Sequence, residues 1–437
     1  MLLILLWKKS KYVNRTISVT LLLVTLVLAG CGDEGPDMNR VKVITAPTPQ
    51  LTAAPSSGTV NNAAASDPNN TPTNPTATFP PSSGSLTSTL APSQAPPVPV
   101  SMAASNPAAA IDPPTPSIRV APLKPGVLLE PMTWEAQTWN NCGPVSAQVA
   151  LSYYNIKLSQ VQCAKALRPN SSDKLVRPDE LLSFIQKQGL QGAWRENGSL
   201  DKLRALLSAG FPVITEQWLK ENDEIAHYRV ARGYDLAADT FFFNDSMDRK
   251  PNTTAKSAYQ DKLWKGFNRR YIVVFRPEQE GAVMAILGED AQPAENLRRG
   301  LEAASKEVQL TPKEVDAWSN LGYMRYAAGD CRGALDVWEQ NIKKMLKPNE
   351  YGPFNYYLWY QLWPVECYNK LGNYRQVIEI APNEISKAVA FAEMRYQFAV
   401  ALLNTGRKEE AVTQLKRALL DDPNYGLSTE LLVKLGV

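Results

Sequence analysis

Apolar and polar positions follow different patterns in four parts of the 437-residue chain. An uncharged apolar run, ISVTLLLVTLVL, occupies residues 17–28, whereas residues 47–125 contain few large apolar side chains. From residue 127 onward, amphipathic helical segments alternate with short apolar strands. From about residue 291 only helical periodicity remains. The pattern therefore predicts a targeting segment, a linker, an α+β domain and an all-α domain.

The predicted α+β domain mixes helices and strands. One helix begins at Cys142, because Gly143 and Pro144 suit a first turn and apolar or small side chains follow on one helix face. The other predicted helices are 178–189 and 199–210, and the predicted strands are 211–216, 228–234, 240–243 and 271–275. Residues 236–239 read as a turn, so the second and third strands should form a hairpin.

The predicted all-α domain repeats itself. A glycine is followed five positions later by a small or β-branched residue in three pairs, Gly329/Ala334, Gly372/Val377 and Gly406/Ala411. The spacings are 43 and 34 residues, and the second resembles the tetratricopeptide period. The longer spacing indicates an insertion near residues 344–353. We expect tetratricopeptide-like repeats over residues 290–437, with a partial unit at 295–310.

Two features of these repeats leave alternatives open. Seven aromatic residues lie between residues 351 and 363, more than one helix face needs, so an exposed aromatic ledge is expected there. Cys331 and Cys367 lie about one repeat apart, and either a disulfide or two thiols fits that spacing. In the α+β domain, Trp194, Trp218 and Trp264 fit either a substrate groove or core packing.

The N-terminus has the features of a secretion signal. Lysines and an arginine precede the apolar run, whose twelve residues would span about 18 Å of helix against a hydrocarbon core of about 30 Å. Small residues then lead to Cys31, as in the lipobox of bacterial lipoproteins. We expect a signal peptide at 1–30, a lipid on Cys31, and a protein anchored to the membrane of a bacterial cell envelope, facing outside the cytoplasm. An ordinary signal peptide with an incidental cysteine is the alternative.

Composition sets limits on the remaining functions. Residues 47–125 hold 18 of the 33 prolines and four charged residues, so residues 31–126 are predicted to form a disordered tether. A net charge of +3 argues against a nucleic-acid partner. With one histidine and no Cys-x-x-Cys pair, the sequence predicts no metal site, and we expect no cofactor.

Candidate chemistry lies in the α+β domain, over residues 127–280. Cys142 lies at a helix N-terminus, where the helix dipole favours a thiolate. His227, the chain's single histidine, begins a strand, and the hairpin should bring Asp245 back beside it. Gln137 lies five residues before Cys142 and offers an amide to an oxyanion. Individually, each fits an ordinary role: a buried cysteine, a structural histidine, a strand-ending aspartate.

The segments QTWNNCGP, HYRVARGYD and FFFND together resemble papain-like cysteine peptidases that process double-glycine leaders of bacteriocins, and more closely their stand-alone relatives. The resemblance covers about residues 128–277. It implies that Cys142 is the nucleophile, His227 the general base and acid, Asp245 the residue that orients His227, and Gln137 the oxyanion donor. Asn141 departs from the aspartate usual before the cysteine, and no transporter segment follows the domain. Transglutaminase-like enzymes share the same residue order.

The sequence therefore predicts a papain-like cysteine peptidase domain followed by tetratricopeptide-like repeats. The expected function is an envelope-anchored peptidase that cleaves a peptide or protein through a Cys-His-Asp triad. The repeats are expected to bind the substrate or a protein partner, or else to support the peptidase domain as a rigid scaffold. A catalytically silent peptide-binding protein and a thioester-forming acyl transferase remain alternatives.

Overall fold

The computed structural model describes residues 41–43, 123–173, 176–221, 223, 225–248, 250–346 and 357–437. The predicted signal peptide and Cys31 lie outside these residues. In the described residues, no helix is both long enough and apolar enough to span a membrane.

An antiparallel sheet and six helices form the first part of the structure. The strands are β1 Val41–Val43, β2 Gly126–Leu129, β3 Gln191–Arg195, β4 Val213–Trp218, β5 Ala226–Asp235, β6 Thr240–Asn244, β7 Thr253–Lys256 and β8 Tyr271–Phe275. The helices are α1 Cys142–Tyr153, α2 Gln160–Leu167, α3 Pro178–Lys187, α4 Leu200–Ser208, α5 Ser257–Lys265 and α6 Glu280–Leu287. All predicted elements of this domain are present, and β1, β2, β3, β7, α2, α5 and α6 are additional. The backbone of β1 lies within the predicted tether and pairs with β2.

The long strand β5 is the centre of the sheet. The strands follow the order β1-β2-β5-β4-β8-β3, and β6 pairs with β5 and with β7. The helix α1 packs against β5, and nearly all of its residues are buried rather than those of one face. The expected one-sided helix was therefore wrong, because α1 also packs against α2 and α3.

The second part of the structure is an array of helices. They are α7 Pro293–Leu310, α8 Val315–Ala327, α9 Cys331–Val337, α10 Lys343–Met345, α11 Tyr357–Tyr360, α12 Trp363–Lys370, α13 Tyr374–Lys387, α14 Ala392–Asn404, α15 Lys408–Asp421 and α16 Gly426–Lys434. Gly329, Gly372 and Gly406 lie in the turns between paired helices, with φ of 83°, 76° and 82°. Such left-handed backbone favours glycine, which explains the repeated residue. The predicted fold class, an α+β domain followed by helical repeats, is confirmed.

A disulfide joins Cys331 of α9 to Cys367 of α12, whose Cα atoms are 5.0 Å apart. Of the two alternatives left open by the sequence, the structure therefore has the disulfide. The two cysteines are 36 positions apart. Closing a loop of this size stabilises a fold by about 4 kcal/mol, because it restricts the unfolded chain.

The expected aromatic ledge is wrong for the described residues. Trp359 and Trp363 are buried in the core of the array, where Trp363 lies edge-on to Trp338. Tyr357 stacks on the same Trp338. The other expected members before residue 357 lie outside the described residues. Of Trp194, Trp218 and Trp264, for which groove and core were both open, Trp264 belongs to the core of the α+β domain.

Candidate active site

Cys142 is the first residue of α1 and is partly buried. Its helix can begin there because Gly143 allows close approach of the loop that contains Val176. A Cβ atom added to Gly143 would lie 2.9 Å from Cβ of Val176, closer than side chains pack. The motif Cys-Gly-Pro therefore places a thiol at a helix N-terminus and against a neighbouring loop.

His227 lies near the start of β5 with 3% of its surface exposed. Its Nε2 is 2.7 Å from Oδ1 of Asp245. Its side chain also forms a hydrogen bond with that of Cys142. Because Asp245 occupies Nε2, the nitrogen available to the sulfur is Nδ1. The three residues Cys142, His227 and Asp245 thus lie in one chain of hydrogen bonds.

A β-bulge between β5 and β6 gives Asp245 its orientation. Asp235 pairs with Thr240, but beyond the bulge Val230 pairs with Asn244, so the register has shifted by one residue. Asp245 consequently follows on the sheet face of Arg229 and His227. Without the bulge, the same hairpin would turn the carboxylate to the opposite face, because side chains alternate along a strand.

Arg229 is a site residue that the sequence reasoning missed. It is buried, and its Nε donates a hydrogen bond to Oδ2 of Asp245. Its Nη2 donates to the carbonyl of Leu219 at 2.7 Å. The backbone N–H of Met247 donates to Oδ1 of Asp245 at 2.9 Å. The carboxylate is therefore held on both oxygens. The available signal was spacing, since Arg229 lies two residues after His227 on one strand face.

The charges of Cys142, His227 and Asp245 stabilise one another. Burial by itself would raise the pKa of the Cys142 thiol, but the hydrogen bond and charge of His227 outweigh it and lower the pKa. Burial would lower the pKa of His227, whereas the Asp245 carboxylate and the Cys142 sulfur raise it to about 9. Burial would raise the pKa of Asp245, yet His227 and Arg229 hold it well below its usual range. Compared with the isolated side chains, this arrangement shifts the equilibrium toward a thiolate, an imidazolium and a carboxylate.

Gln137 is fixed to the loop that follows Asp245. Its backbone N–H donates to the carbonyl of Ser246 at 2.9 Å, and its Oε1 accepts a hydrogen bond from the Ser246 hydroxyl at 2.6 Å. The acceptor end of the amide is thereby occupied, which leaves the Nε2 donor for a ligand. Gln137 is not among the residues that line the cavity at Cys142.

The second residue that the sequence reasoning missed, after Arg229, is Asn140, which lines that cavity. Its Nδ2 is buried and makes no hydrogen bond within the described part of the chain. Its backbone has a φ of 57°, a left-handed conformation that asparagine tolerates better than most residues. A buried donor without an acceptor is costly, so an oxygen supplied by a ligand would be stabilised there.

Asn141, the departure from the usual aspartate, supports the loop before Cys142. Its Nδ2 donates to Oγ1 of Thr138 at 2.7 Å, and its Oδ1 accepts a hydrogen bond from Arg168. The amide therefore serves as donor and acceptor at once. An ionised aspartate in its place would keep only the acceptor role.

A cavity lies beside Cys142, and the empty space in and above it is about 320 Å³ with open solvent included. Its lining residues are Asn140, Cys142, Gly143, Val176, Glu216, Ala226, His227, Tyr228 and Tyr360. Among the described residues, no group of His, Cys, Asp or Glu side chains is arranged to hold a metal ion.

Residues 129–272 match the model of the Peptidase_C39 like family. The match, which covers about a third of the chain, confirms the resemblance predicted from the cysteine and histidine segments. This C39-like domain has the fold of a papain-like cysteine peptidase. No curated protein matches the sequence significantly.

Solved structures similar to the chain include two peptidases and one other protein. A putative C39-like peptidase from Bacillus anthracis is 14% identical, covers 35% of this chain and 98% of its own, and has a TM-score of 0.30. A double glycine motif protease from an AMS/PCAT transporter, solved with a leader peptide, is 16% identical. The match covers 33% of this chain and 91% of its own, with a TM-score of 0.26. The MamA protein is 21% identical, and the match covers 33% of this chain and 74% of its own, with a TM-score of 0.25.

Proposed function

We propose that the protein is a cysteine peptidase that hydrolyses a peptide bond through Cys142, His227 and Asp245. The observation that carries this proposal is the chain of hydrogen bonds from the Cys142 thiol through a buried imidazole to the Asp245 carboxylate. A purely structural cysteine needs no such charged partner, whereas a nucleophile needs a base that is itself oriented.

In the proposed reaction, the Cys142 thiolate attacks the carbonyl carbon of the substrate and forms a C–S bond. The carbonyl electron pair moves to oxygen, where the Gln137 and Asn140 amides offer N–H donors. Collapse of this intermediate breaks the C–N bond, and His227 gives its proton to the departing amine. Water then attacks the thioester and passes a proton to His227, which releases the carboxylic acid and restores the thiolate.

Two other functions use the same residues. An acyl transferase would form the same thioester and pass the acyl group to an amine instead of water. A catalytically silent domain would hold a peptide in the cleft without attack. The lowered pKa of Cys142 favours the two thioester-forming reactions, because peptide holding does not need a thiolate. Added amines that appear in the products would identify the transferase.

Alkylation of Cys142 across pH tests the proposed thiolate. With iodoacetamide, we expect the wild-type rate to stay high at pH 6, while the His227→Gln variant reacts at least about 10-fold more slowly there, since an ordinary thiol has a pKa near 8.5. Peptide mapping by mass spectrometry gives the rate at each cysteine. Cys163 is the internal control, because burial raises its pKa to about 11 and it should react slowly in both proteins.

The opposite result is equally clear. If Cys142 titrates as an ordinary thiol and the His227→Gln variant follows the same curve, the pair is not an activated nucleophile. The proposed peptidase and transferase reactions would then both be excluded.

We further propose that a lipid on Cys31 anchors this peptidase outside the cytoplasm, and that the repeats bind its substrate or a protein partner. The lipobox-like residues before Cys31 support the anchor, and the disulfide between Cys331 and Cys367 is consistent with an oxidising compartment. Cells fed a fatty acid that carries an alkyne should label the wild-type protein. The Cys31→Ser variant should remain unlabelled, and labelling of that variant would contradict the anchor.

A further inference from the structure

The cavity at Cys142 contains a residue of the helical array. Tyr360, the last residue of α11, lines it together with Cys142 and His227. Tyr360 also forms a hydrogen bond with the backbone of Ala226, the residue directly before His227. Burial and the nearby Cys142 sulfur raise the pKa of its hydroxyl. The helical array thus reaches the reacting atoms.

Aromatic packing keeps Tyr360 in this place. Its ring lies edge-on to those of Trp218 and Phe267, with centroids 6.4 Å and 6.3 Å away. Trp218 ends β4 beside the cleft and donates from Nε1 to Asp316 of α8 at 3.1 Å. One wall of the cleft is therefore joined to the array by aromatic contacts and a hydrogen bond.

Further polar contacts strengthen the attachment at this wall. The backbone N–H of Asn268 donates to Oδ1 of Asn320 at 3.0 Å, and Nδ2 of Asn320 donates to the carbonyl of Lys265 at 2.8 Å. Near them, the hydroxyl of Tyr323 donates to the buried Glu196 at 3.1 Å. Because several of these groups are buried, the array is held firmly here.

The array is attached at a second place as well. Arg177, next to the cavity residue Val176, forms an ion pair of 2.8 Å with Glu393 of α14. Nearby, Nδ2 of Asn170 donates to the carbonyl of Leu420 at 3.0 Å, and Nδ2 of Asn424 donates to that of Ala166 at 3.1 Å. The array is therefore attached both next to Val176 and at the wall that contains Trp218, and its residue Tyr360 lines the cavity.

We propose that Tyr360 covers the nucleophile and limits which molecules reach Cys142, so that the helical array is part of the active site. Because its ring lines the cavity beside Cys142 and His227, Tyr360 occupies space that an extended polypeptide on both sides of the sulfur would need. Small reagents reach Cys142 past the ring, whereas a polypeptide requires Tyr360 to move. The view that this polypeptide is the substrate rests on the proposed peptidase function. The proposal that Tyr360 restricts access to Cys142 does not depend on that function.

Two alkylating reagents of different size test this cover. The probes are iodoacetamide and a pentapeptide with an iodoacetyl group at its N-terminus. In the Tyr360→Ala variant we expect the rate of Cys142 alkylation by the peptide reagent to rise at least about 10-fold, while the iodoacetamide rate changes less than about twofold, because only the large reagent needs the space of the ring. The Tyr360→Phe variant keeps the ring and should behave like the wild type.

Controls separate a cover from general loosening. The Tyr259→Ala variant removes an exposed tyrosine of α5 and should leave both rates unchanged. The Tyr360→Leu variant keeps apolar packing on Trp218 and Phe267 and should give an intermediate peptide rate; it replaces the alanine variant if that protein unfolds at the assay temperature. A folded variant without the ring whose peptide rate equals that of the wild type overturns the proposal. Failure of the peptidase proposal would instead appear in the iodoacetamide pH profile.

Discussion

Replacing Cys142 by alanine is expected to remove peptide hydrolysis almost completely, by a factor of about 10³ or more, because no other group can form the thioester. The fold should survive, since Cys142 begins α1 and only a partly buried sulfur is lost. Mass spectrometry of new N-termini on surface proteins should identify cleavage sites that are present with the wild type and absent with the variant. A synthetic peptide that spans one such site then gives the rates.

The matched control for this substitution is Cys163→Ala. Cys163 is the other free cysteine of the described chain, it is fully buried in α2, and its raised pKa keeps it a neutral thiol. We expect its alanine variant to retain the cleavage pattern. Cleavage that persists with Cys142→Ala and disappears with Cys163→Ala would overturn the assignment of the nucleophile.

The amide donors should behave differently from the nucleophile. Gln137→Ala or Asn140→Ala each removes a proposed oxyanion donor, for which losses of about 10²-fold to 10³-fold in turnover are typical. Because neither amide is part of the hydrogen-bond chain between Cys142 and His227, alkylation by iodoacetamide should stay near the wild-type rate. The pair of assays thus distinguishes a donor from a member of the triad.

The grouping of Cys142, His227 and Asp245 was predictable from the sequence because it depends on residue types at strand and helix ends. A cysteine before Gly-Pro begins a helix, and a hairpin returns Asp245 toward His227. The bulge that turns Asp245 to the correct face was missed, although Gly233 lies directly beside it in β5. A glycine inside a strand marks either a bulge or a close backbone approach, and Gly233 also lies against the backbone of Val127. Arg229 was missed for a related reason, because its partner is fixed by that register.

In the helical array, features set by neighbouring residues were predictable, whereas features set by residues distant in sequence were not. Its helix pairs were predictable, because a glycine in the left-handed conformation ends a helix wherever it occurs. The burial of Trp363 was not, since it depends on contact with Gly322, where an added Cβ atom would lie 2.5 Å from the indole. The position of Tyr360 at the cleft likewise depends on how two domains pack, for which local periodicity gives no signal.

Replacing Asp245 by asparagine is expected to lower turnover by about 10²-fold to 10⁴-fold, because the imidazolium loses the charge that stabilises and orients it. The same change leaves Arg229 buried beside a neutral group. An unpaired buried charge of this kind costs about 3–5 kcal/mol in the free energy of unfolding. Chemical denaturation at pH 7 measures this loss, and hydrolysis of the mapped peptide measures turnover.

The loss of stability should depend on pH with a definite sign. The pKa of Asp245 is lowered in the fold, so its stabilisation is present above the ordinary carboxyl pKa and disappears only as pH falls through the lowered value. The difference in unfolding free energy between wild type and Asp245→Asn should therefore be full at neutral pH and shrink in strong acid. A difference that grows as pH falls would contradict this assignment.

His227 is expected to give the free energy of unfolding the opposite pH dependence. The Cys142→Ala variant is the background for this measurement, because the contribution of the thiolate is then absent. Since the fold raises the pKa of His227, its stabilisation is complete below about pH 6.5 and is lost as pH rises through the raised value, by at most about 1.4 kcal/mol per pH unit. Adding Asp245→Asn to this background should flatten the slope, because the carboxylate is the main group that raises this pKa.

Adding Arg229→Met to the Asp245→Asn variant should restore stability but not turnover, since the unpaired charge is gone while His227 still lacks its carboxylate. Recovery of turnover in that double variant would mean that Asp245 acts only by neutralising Arg229.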